Sequence, residues 1–214
     1  MPSLATRSLR PAADMEPGKF ITFEGIDGAG KSTQLAFLAD HLRRNGRDVV
    51  VTREPGGTPV GEALRKIVLT QDMDPRTETL LMFAARAEHL ARVIRPALAA
   101  GRWVVCDRFS DATFAYQSGG RQLPAADVEA LERWVHPDLV PDHTVLVDIA
   151  PEIAARRLAA ARAADRFESE QTAFFSRVRA AYLTRAAKSP DRFVVLDGAL
   201  APEHLQARIA QVFA

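Results

Sequence analysis

The chain has 214 residues, 47% of them hydrophobic and 26% charged, with a formal net charge of +1. That size and balance suit one α/β domain, and the near-neutral charge excludes a strong global field for nucleic acid or a membrane surface. The single cysteine, Cys106, excludes an intrachain disulfide, and no apolar run approaches the roughly 20 residues of a membrane-spanning helix.

Residues 1–17 hold Arg7, Arg10, Asp14 and Glu16 among small residues and prolines, with no long apolar segment. They read as a disordered extension of a cytoplasmic chain, with a short organelle presequence as the alternative and Met15 as a second candidate start. From residue 18 onward, strand and helix signals alternate. Residues 19–24 read as a strand ending in glycine, and residues 30–45 as a helix with Leu35, Leu38 and Leu42 on one face and Gly46 after it. Residues 48–53 form a second strand, broken by Pro55-Gly56-Gly57. A helix over 58–70 follows, then a long one to about residue 95, opened by Asp74 as cap and Pro75 in its first turn. Strands are expected at 102–107, 143–148 and 192–197, and helices at 124–135, at 151–187 with a break near Ala164-Asp165, and from Pro202 to the end. Apolar strands separated by helices predict a five-stranded parallel sheet with helices on both faces.

Gly25-Ile26-Asp27-Gly28-Ala29-Gly30-Lys31-Ser32, followed by Thr33, matches the phosphate-binding pattern GxxxxGK[ST] in full, between a strand and a helix. The glycines let successive backbone N–H groups turn toward one anion, and the helix N-terminus adds its positive end. Lys31 can reach the outer phosphates and the Ser32 hydroxyl suits Mg²⁺. The pattern specifies a nucleoside triphosphate and leaves the phosphate acceptor open. Two strand ends add charge. Arg53 closes the second strand, and Asp107-Arg108 closes the third, so Asp107 is a second candidate Mg²⁺ ligand and Arg108 a candidate phosphate clamp. The five histidines are scattered, without zinc-ligand spacing.

Four segments together resemble the thymidylate kinase family: the phosphate loop, Arg53-Glu54-Pro55-Gly56-Gly57-Thr58, the Leu81–Leu90 stretch of the long helix, and Asp107-Arg108-Phe109 leading to Ala115-Tyr116-Gln117. The resemblance runs from Phe20 to about Glu168 and implies a P-loop fold with a small helical lid over about 156–168, in one domain spanning 18–214. It implies transfer of a phosphoryl group from MgATP to dTMP, a homodimer, and no nucleic-acid or membrane partner. It assigns Arg53 and Arg108 to the acceptor phosphate, Asp27 to the deoxyribose 3′-hydroxyl, Tyr116 to the 2′ position, and Arg86, Thr113 and Gln117 to thymine. Glu168 would orient a lid group or the sugar. The family places an aromatic ring four residues before the helix arginine; here that position is Met82, with Phe83 beside it, so either Phe83 stacks on the base or Met82 packs on it. Serine is usual in the family where Ala112 stands. The loop carries Ala29 and no arginine, like the subtype whose catalytic arginine comes from the lid, and Arg162, then Arg157, are the candidates. Another small kinase and a non-catalytic nucleotide-dependent regulator are the alternative readings; the paired Arg53 and Arg108 argue against the second, because an ATP switch needs no second phosphate clamp.

Overall fold

The computed structural model describes residues 18–159, 166–167 and 170–214. The expectations for residues 1–17, for Arg162 and Glu168 and for the break at Ala164-Asp165 lie outside the described residues. Five strands, β1 (Phe20–Glu24), β2 (Val49–Arg53), β3 (Trp103–Asp107), β4 (His143–Asp148) and β5 (Phe193–Asp197), pair in parallel in the order β2-β3-β1-β4-β5. Each coincides with an apolar run of the sequence to within one residue.

Parallel neighbours require crossovers, and helices supply them. Helix α1 (Lys31–Arg44) links β1 to β2; α2 (Pro59–Thr70), α3 (Pro75–His89), a π-helical turn (Leu90–Ile94) and α4 (Arg95–Ala99) link β2 to β3. Between β3 and β4 come α5 (Ser110–Thr113), a second π-helical turn (Phe114–Gly120) and α6 (Ala125–Val135). Helices α7 (Pro151–Ala159) and α8 (Thr172–Lys188) precede β5, and α9 (Pro202–Val212) closes the chain. Asp74, the cap the sequence marks, accepts from Arg76 N–H ahead of Pro75, and Thr58, the first residue of the expected helix, caps α2 by accepting from Gly61 N–H ahead of Pro59. The long helix after Asp74 differs from its expectation. It widens to a π turn at Leu90–Ile94, where Pro96 offers no N–H to the Arg92 carbonyl four residues back.

The sheet divides two apolar layers. Ile21, Phe23, Val105, Val145 and Val147 join Leu35, Leu38 and Leu42 of α1 and Leu205 and Ile209 of α9. Phe20, Val104 and Cys106 join Leu90, Ile94, Ala97 and Phe109 on the other side. The strand order reverses between β1 and β3, so the loops after these strands part and open a crevice at their carboxyl ends.

Candidate active site

The loop from Gly25 to Gly30 leaves β1 at that crevice. Gly25 has φ 134, and a Cβ there would lie 2.4 Å from the Val147 carbonyl oxygen, so neither the turn nor its packing on β4 tolerates a side chain. The Lys31 ammonium is buried and donates to the carbonyls of Gly25 and Ile26, both at 3.1 Å. Burial, then the nearby Arg108 charge, pulls its pKa below the ordinary lysine value.

Asp107 and Ser32 line one cavity, together with Thr52, Arg53 and Glu62. Asp107 Oδ1 is buried and has no hydrogen-bond partner among the described residues. An orphaned carboxylate oxygen beside a hydroxyl, both hard oxygen donors, fits a Mg²⁺ ion. Arg53 is half-exposed on this side and donates to Glu62 Oε2 at 2.9 Å.

A second cleft adjoins, and its anion-binding end is built around Arg108. This residue holds the left-handed backbone conformation at φ 72, with its N–H fixed to Phe23 O at 2.9 Å. Its Nη2 donates to Asp27 Oδ1 at 2.7 Å and to the Tyr116 hydroxyl at 3.0 Å; its Nη1 donates to the Tyr182 hydroxyl at 3.1 Å. Tyr116 in turn donates to Asp27 Oδ2 at 2.8 Å. Burial alone would raise the Asp27 pKa, but Arg108, Lys31 and Tyr116 outweigh it and hold this carboxyl well below the usual carboxylate range. Arg65 of α2 also lines the cleft, donating to Pro55 O at 2.9 Å. Burial, followed by the like charges of Arg53 and Arg108, lowers its pKa, which places three guanidinium groups within electrostatic reach of one another.

The far end of the cleft is built on α3. Arg86 is buried, its Nε donating to Glu54 Oε2 at 2.7 Å and its Nη2 to Thr113 Oγ1 at 3.0 Å. Arg86 Nη1 is buried without a partner among the described residues. Glu54 is held from behind by His89 Nδ1 at 3.0 Å, and His89 Nε2 meets Thr52 Oγ1 at 2.7 Å. Burial pushes Glu54 up, yet Arg86 and His89 prevail and lower its pKa. Gln117 donates one amide N–H to Glu78 Oε1 at 2.8 Å, which fixes the amide and leaves its carbonyl oxygen and second N–H for the cleft. Leu69, Met82, Phe109 and Phe167 supply apolar walls between the two ends.

Met82, and not Phe83, lines the cleft; Phe83 packs with Phe114 and Val128 and carries the Arg86 guanidinium over its ring at 4.8 Å. Ala112 lines the cleft beside Thr113. Arg157 donates to Gly198 O at 2.9 Å, at the end of β5. Sequence reading passed over Arg65, Glu54 and Phe167. Glu54 carried a signal as the neighbour of Arg53 in its motif, and Phe167 as part of the expected lid segment; Arg65 reads as one more cation on an amphipathic helix.

An enzyme that seats a triphosphate on such a loop and gathers arginines toward a second anion is a P-loop phosphotransferase, and the apolar cleft behind those arginines has the walls for a ring. The family model for thymidylate kinase matches residues 23–209. A thymidylate kinase of Burkholderia vietnamiensis is 59% identical over 204 residues, covering 94% of this chain and 99% of that one. One of Paraburkholderia xenovorans is 58% identical with the same coverage. The crystal structure of thymidylate kinase from Ehrlichia chaffeensis matches with a TM-score of 0.76 and 33% identity, over 92% of this chain and 99% of that one. The chain belongs to the thymidylate kinase family, and it is a nucleoside monophosphate kinase.

Proposed function

We propose that the enzyme transfers the γ-phosphoryl group of MgATP to the 5′-phosphate of dTMP, giving ADP and dTDP. The observation that supports this most is the pair of unlike ends in one cleft: Arg108, Arg65 and Asp27 at one, Arg86, Thr113 and Gln117 at the other. A buried unpartnered N–H on Arg86 seeks a carbonyl oxygen, and the free carbonyl of Gln117 seeks an N–H. The pairing edge of thymine offers both; cytosine presents an amino group and a bare ring nitrogen instead, which sets the Arg86 donor against a donor and the Gln117 carbonyl against an acceptor. Met82 and Phe167 pack on the ring faces.

Phosphoryl transfer forms a bond from an acceptor phosphate oxygen to the γ-phosphorus and breaks the bond to the β–γ bridging oxygen. The acceptor is already ionised at neutral pH, so the protein's task is to bring two anions into line and offset their charge. Loop residues Gly25 to Thr33 cradle ATP and Lys31 offsets charge on the transferring group. Arg108 and Arg65 hold the acceptor phosphate, with Arg53 beside them. Asp27 accepts from the 3′-hydroxyl, and Tyr116 crowds the 2′ position. Ser32 and Asp107 would hold Mg²⁺, which when bound offsets charge on the ATP phosphates. Arg162, then Arg157, is the lid arginine for the transition state, and Glu168 orients the lid or sugar. The lid over about 156–168 excludes water from the transferring group.

By family resemblance the enzyme works as a cytoplasmic homodimer packed through helices, and the exposed Val60 and Ile67 of α2 and Leu80 of α3 supply apolar surface for such packing. Nucleic acid is not a partner in this reading, and no helix among the described residues is long and apolar enough to cross a membrane. The test is a coupled ADP-release assay with MgATP and a panel of nucleoside monophosphates. Strong preference for dTMP supports the assignment. Turnover confined to another monophosphate would retain the ATP site and discard the base-reading roles of Arg86 and Gln117.

A further inference from the structure

Arg108 faces the cleft, but two of the groups that fix it stand behind the cleft wall. Tyr182, from the middle of α8, is fully buried and does not line the cleft. Its hydroxyl donates to Glu24 Oε2 at 2.8 Å and accepts from Arg108 Nη1 at 3.1 Å. A phenol has one proton. Spending it on Glu24 turns the oxygen lone pairs toward Arg108, so the carboxyl sets the direction of the second hydrogen bond. Glu24 also reaches the backbone of the same segment, because its Oε1 accepts from Phe109 N–H at 2.8 Å. One side chain at the end of β1 therefore holds Arg108 twice: through the peptide that follows it, and through the guanidinium by way of Tyr182. The left-handed backbone of Arg108 needs such support, since that conformation is unfavourable for a residue with a side chain of this size.

We propose that Tyr182 and Glu24 are positioning residues that aim the Arg108 guanidinium at the acceptor phosphate. The proposal rests on the reading of Arg108 as the acceptor clamp. Neither residue touches substrate in it. Tyr116 also bonds Arg108, but it lines the cleft and belongs to the sugar end, so its loss would confound two effects. Tyr182→Phe removes only the hydroxyl and keeps the ring among its neighbours.

A double-mutant cycle separates aiming from mere stability. Wild type, Tyr182→Phe, Arg108→Ala and the double variant are compared by kcat/KM for dTMP at saturating MgATP, at a temperature where thermal melting shows all four folded. Tyr182→Phe is expected to lower kcat/KM about tenfold, the scale of one hydrogen bond to a charged group, with KM for ATP unchanged. In the Arg108→Ala background the same substitution is expected to do nothing further. Equal losses in both backgrounds, or no loss in the first, would overturn the proposal. If Arg108→Ala itself leaves kcat/KM for dTMP intact, the clamp reading fails, and that result is visible separately. Should Tyr182→Phe fail to fold, Glu24→Ala and Glu24→Gln at pH 7 carry the same test. Glutamine keeps one acceptor oxygen, which serves the Tyr182 hydroxyl or the Phe109 N–H but not both, and is expected to recover part of the alanine loss; equal losses from both would overturn the proposal.

Discussion

Arg108 and Asp27 are paired at 2.7 Å, and this single ion pair ties the end of β3 to the phosphate loop after β1. Both groups are held in their charged forms, Asp27 by Arg108 and Lys31 against the effect of burial, and Arg108 by Asp27 against the same effect. An incoming phosphate at Arg108 competes with Asp27 for one guanidinium. The two single substitutions should therefore differ. Arg108→Ala removes the clamp and is expected to cost roughly 10²–10³-fold in kcat/KM for dTMP, the range for loss of one preorganised donor. Asp27→Asn leaves Arg108 free for phosphate and weakens only the sugar contact, so its loss is expected to be about tenfold, as for one hydrogen bond to a charged group. Steady-state kinetics with dTMP varied at fixed MgATP ranks them, and a larger loss in Asp27→Asn would reverse the assignment.

Arg86 has two duties that separate in experiment. It is the first charge partner of the buried Glu54, so Arg86→Ala leaves that carboxylate with the His89 contact alone among the described residues and is expected to destabilise the fold by about 3–5 kcal/mol. Arg86→Lys keeps the charge beside Glu54 but lacks the planar fork that reaches both Glu54 and the ring edge. It is expected to retain most of the stability and to narrow the preference for dTMP over dCMP about tenfold, the value of roughly one polar contact. Chemical denaturation reads the first effect, and the ratio of kcat/KM for the two nucleotides reads the second. A lysine variant with unchanged preference would remove Arg86 from base reading.

The strands, their parallel pairing and the phosphate loop were legible because each has a local cause: an apolar run, a Gly/Pro break, a glycine spacing. The motif residues Asp27, Arg86, Arg108, Thr113, Tyr116 and Gln117 meet in one cleft, as an order of motifs along an α/β sheet implies. What stayed hidden depends on long-range geometry. Glu54, His89 and Thr52 form a chain behind Arg86 only because α3 packs across the end of β2, and nothing in the spacing of those residues announces it. Met82 and Phe83 are adjacent on one helix, about 100° apart around its axis, so sequence proximity could not say which faces the cleft. The segment 110–120 went unassigned because four α-helical residues followed by a wide π turn have no 3.6-residue apolar repeat to read.

Arg65 is the cation that sequence reading passed over, and its substitution is the simplest check on the cleft. It lines the anion-binding end and feels the like charges of Arg53 and Arg108, offset in part by Glu62 and Asp107. Arg65→Ala is expected to raise KM for dTMP about tenfold, corresponding to one charge-assisted contact, with KM for ATP unchanged. Among the described residues its hydrogen bond is to Pro55 O, so the melting temperature should move little. An unchanged KM for dTMP would assign Arg65 to the loop alone.

The unpartnered Asp107 oxygen predicts a metal dependence that residue by residue can be moved. Chelation of Mg²⁺ is expected to abolish turnover reversibly. Asp107→Asn removes a carboxylate charge from the oxygen set while keeping its shape, and is expected to raise the Mg²⁺ concentration for half-maximal rate by at least about tenfold. The Ser32→Ala variant should shift in the same direction. Titration of rate against free Mg²⁺ at fixed ATP decides it, and coincident curves for wild type and Asp107→Asn would place the metal elsewhere.

Glu24 predicts how stability responds to pH. Burial first, then the Asp111 charge, pushes its pKa from 4.5 up to about 8, against the pull of Arg108, Tyr182 and the Phe109 N–H. Lys31 and Cys106 also lie within its electrostatic reach. The unfolded chain releases this proton near the ordinary carboxyl value while the folded chain retains it to about pH 8, so between the two the folded state binds the extra proton. Stability from this group is therefore complete below about 4.5 and falls as pH rises toward 8, by an amount on the order of a few kcal/mol. Glu24→Gln has no proton to lose and keeps the neutral shape. Urea denaturation at pH 5 and pH 8 is expected to show the variant gaining stability relative to wild type between the two, with the m-value unchanged. A difference that stays constant across that interval would mean that Glu24 is ionised in the folded enzyme throughout, and that its carboxylate is compensated by Arg108 more fully than its burial implies.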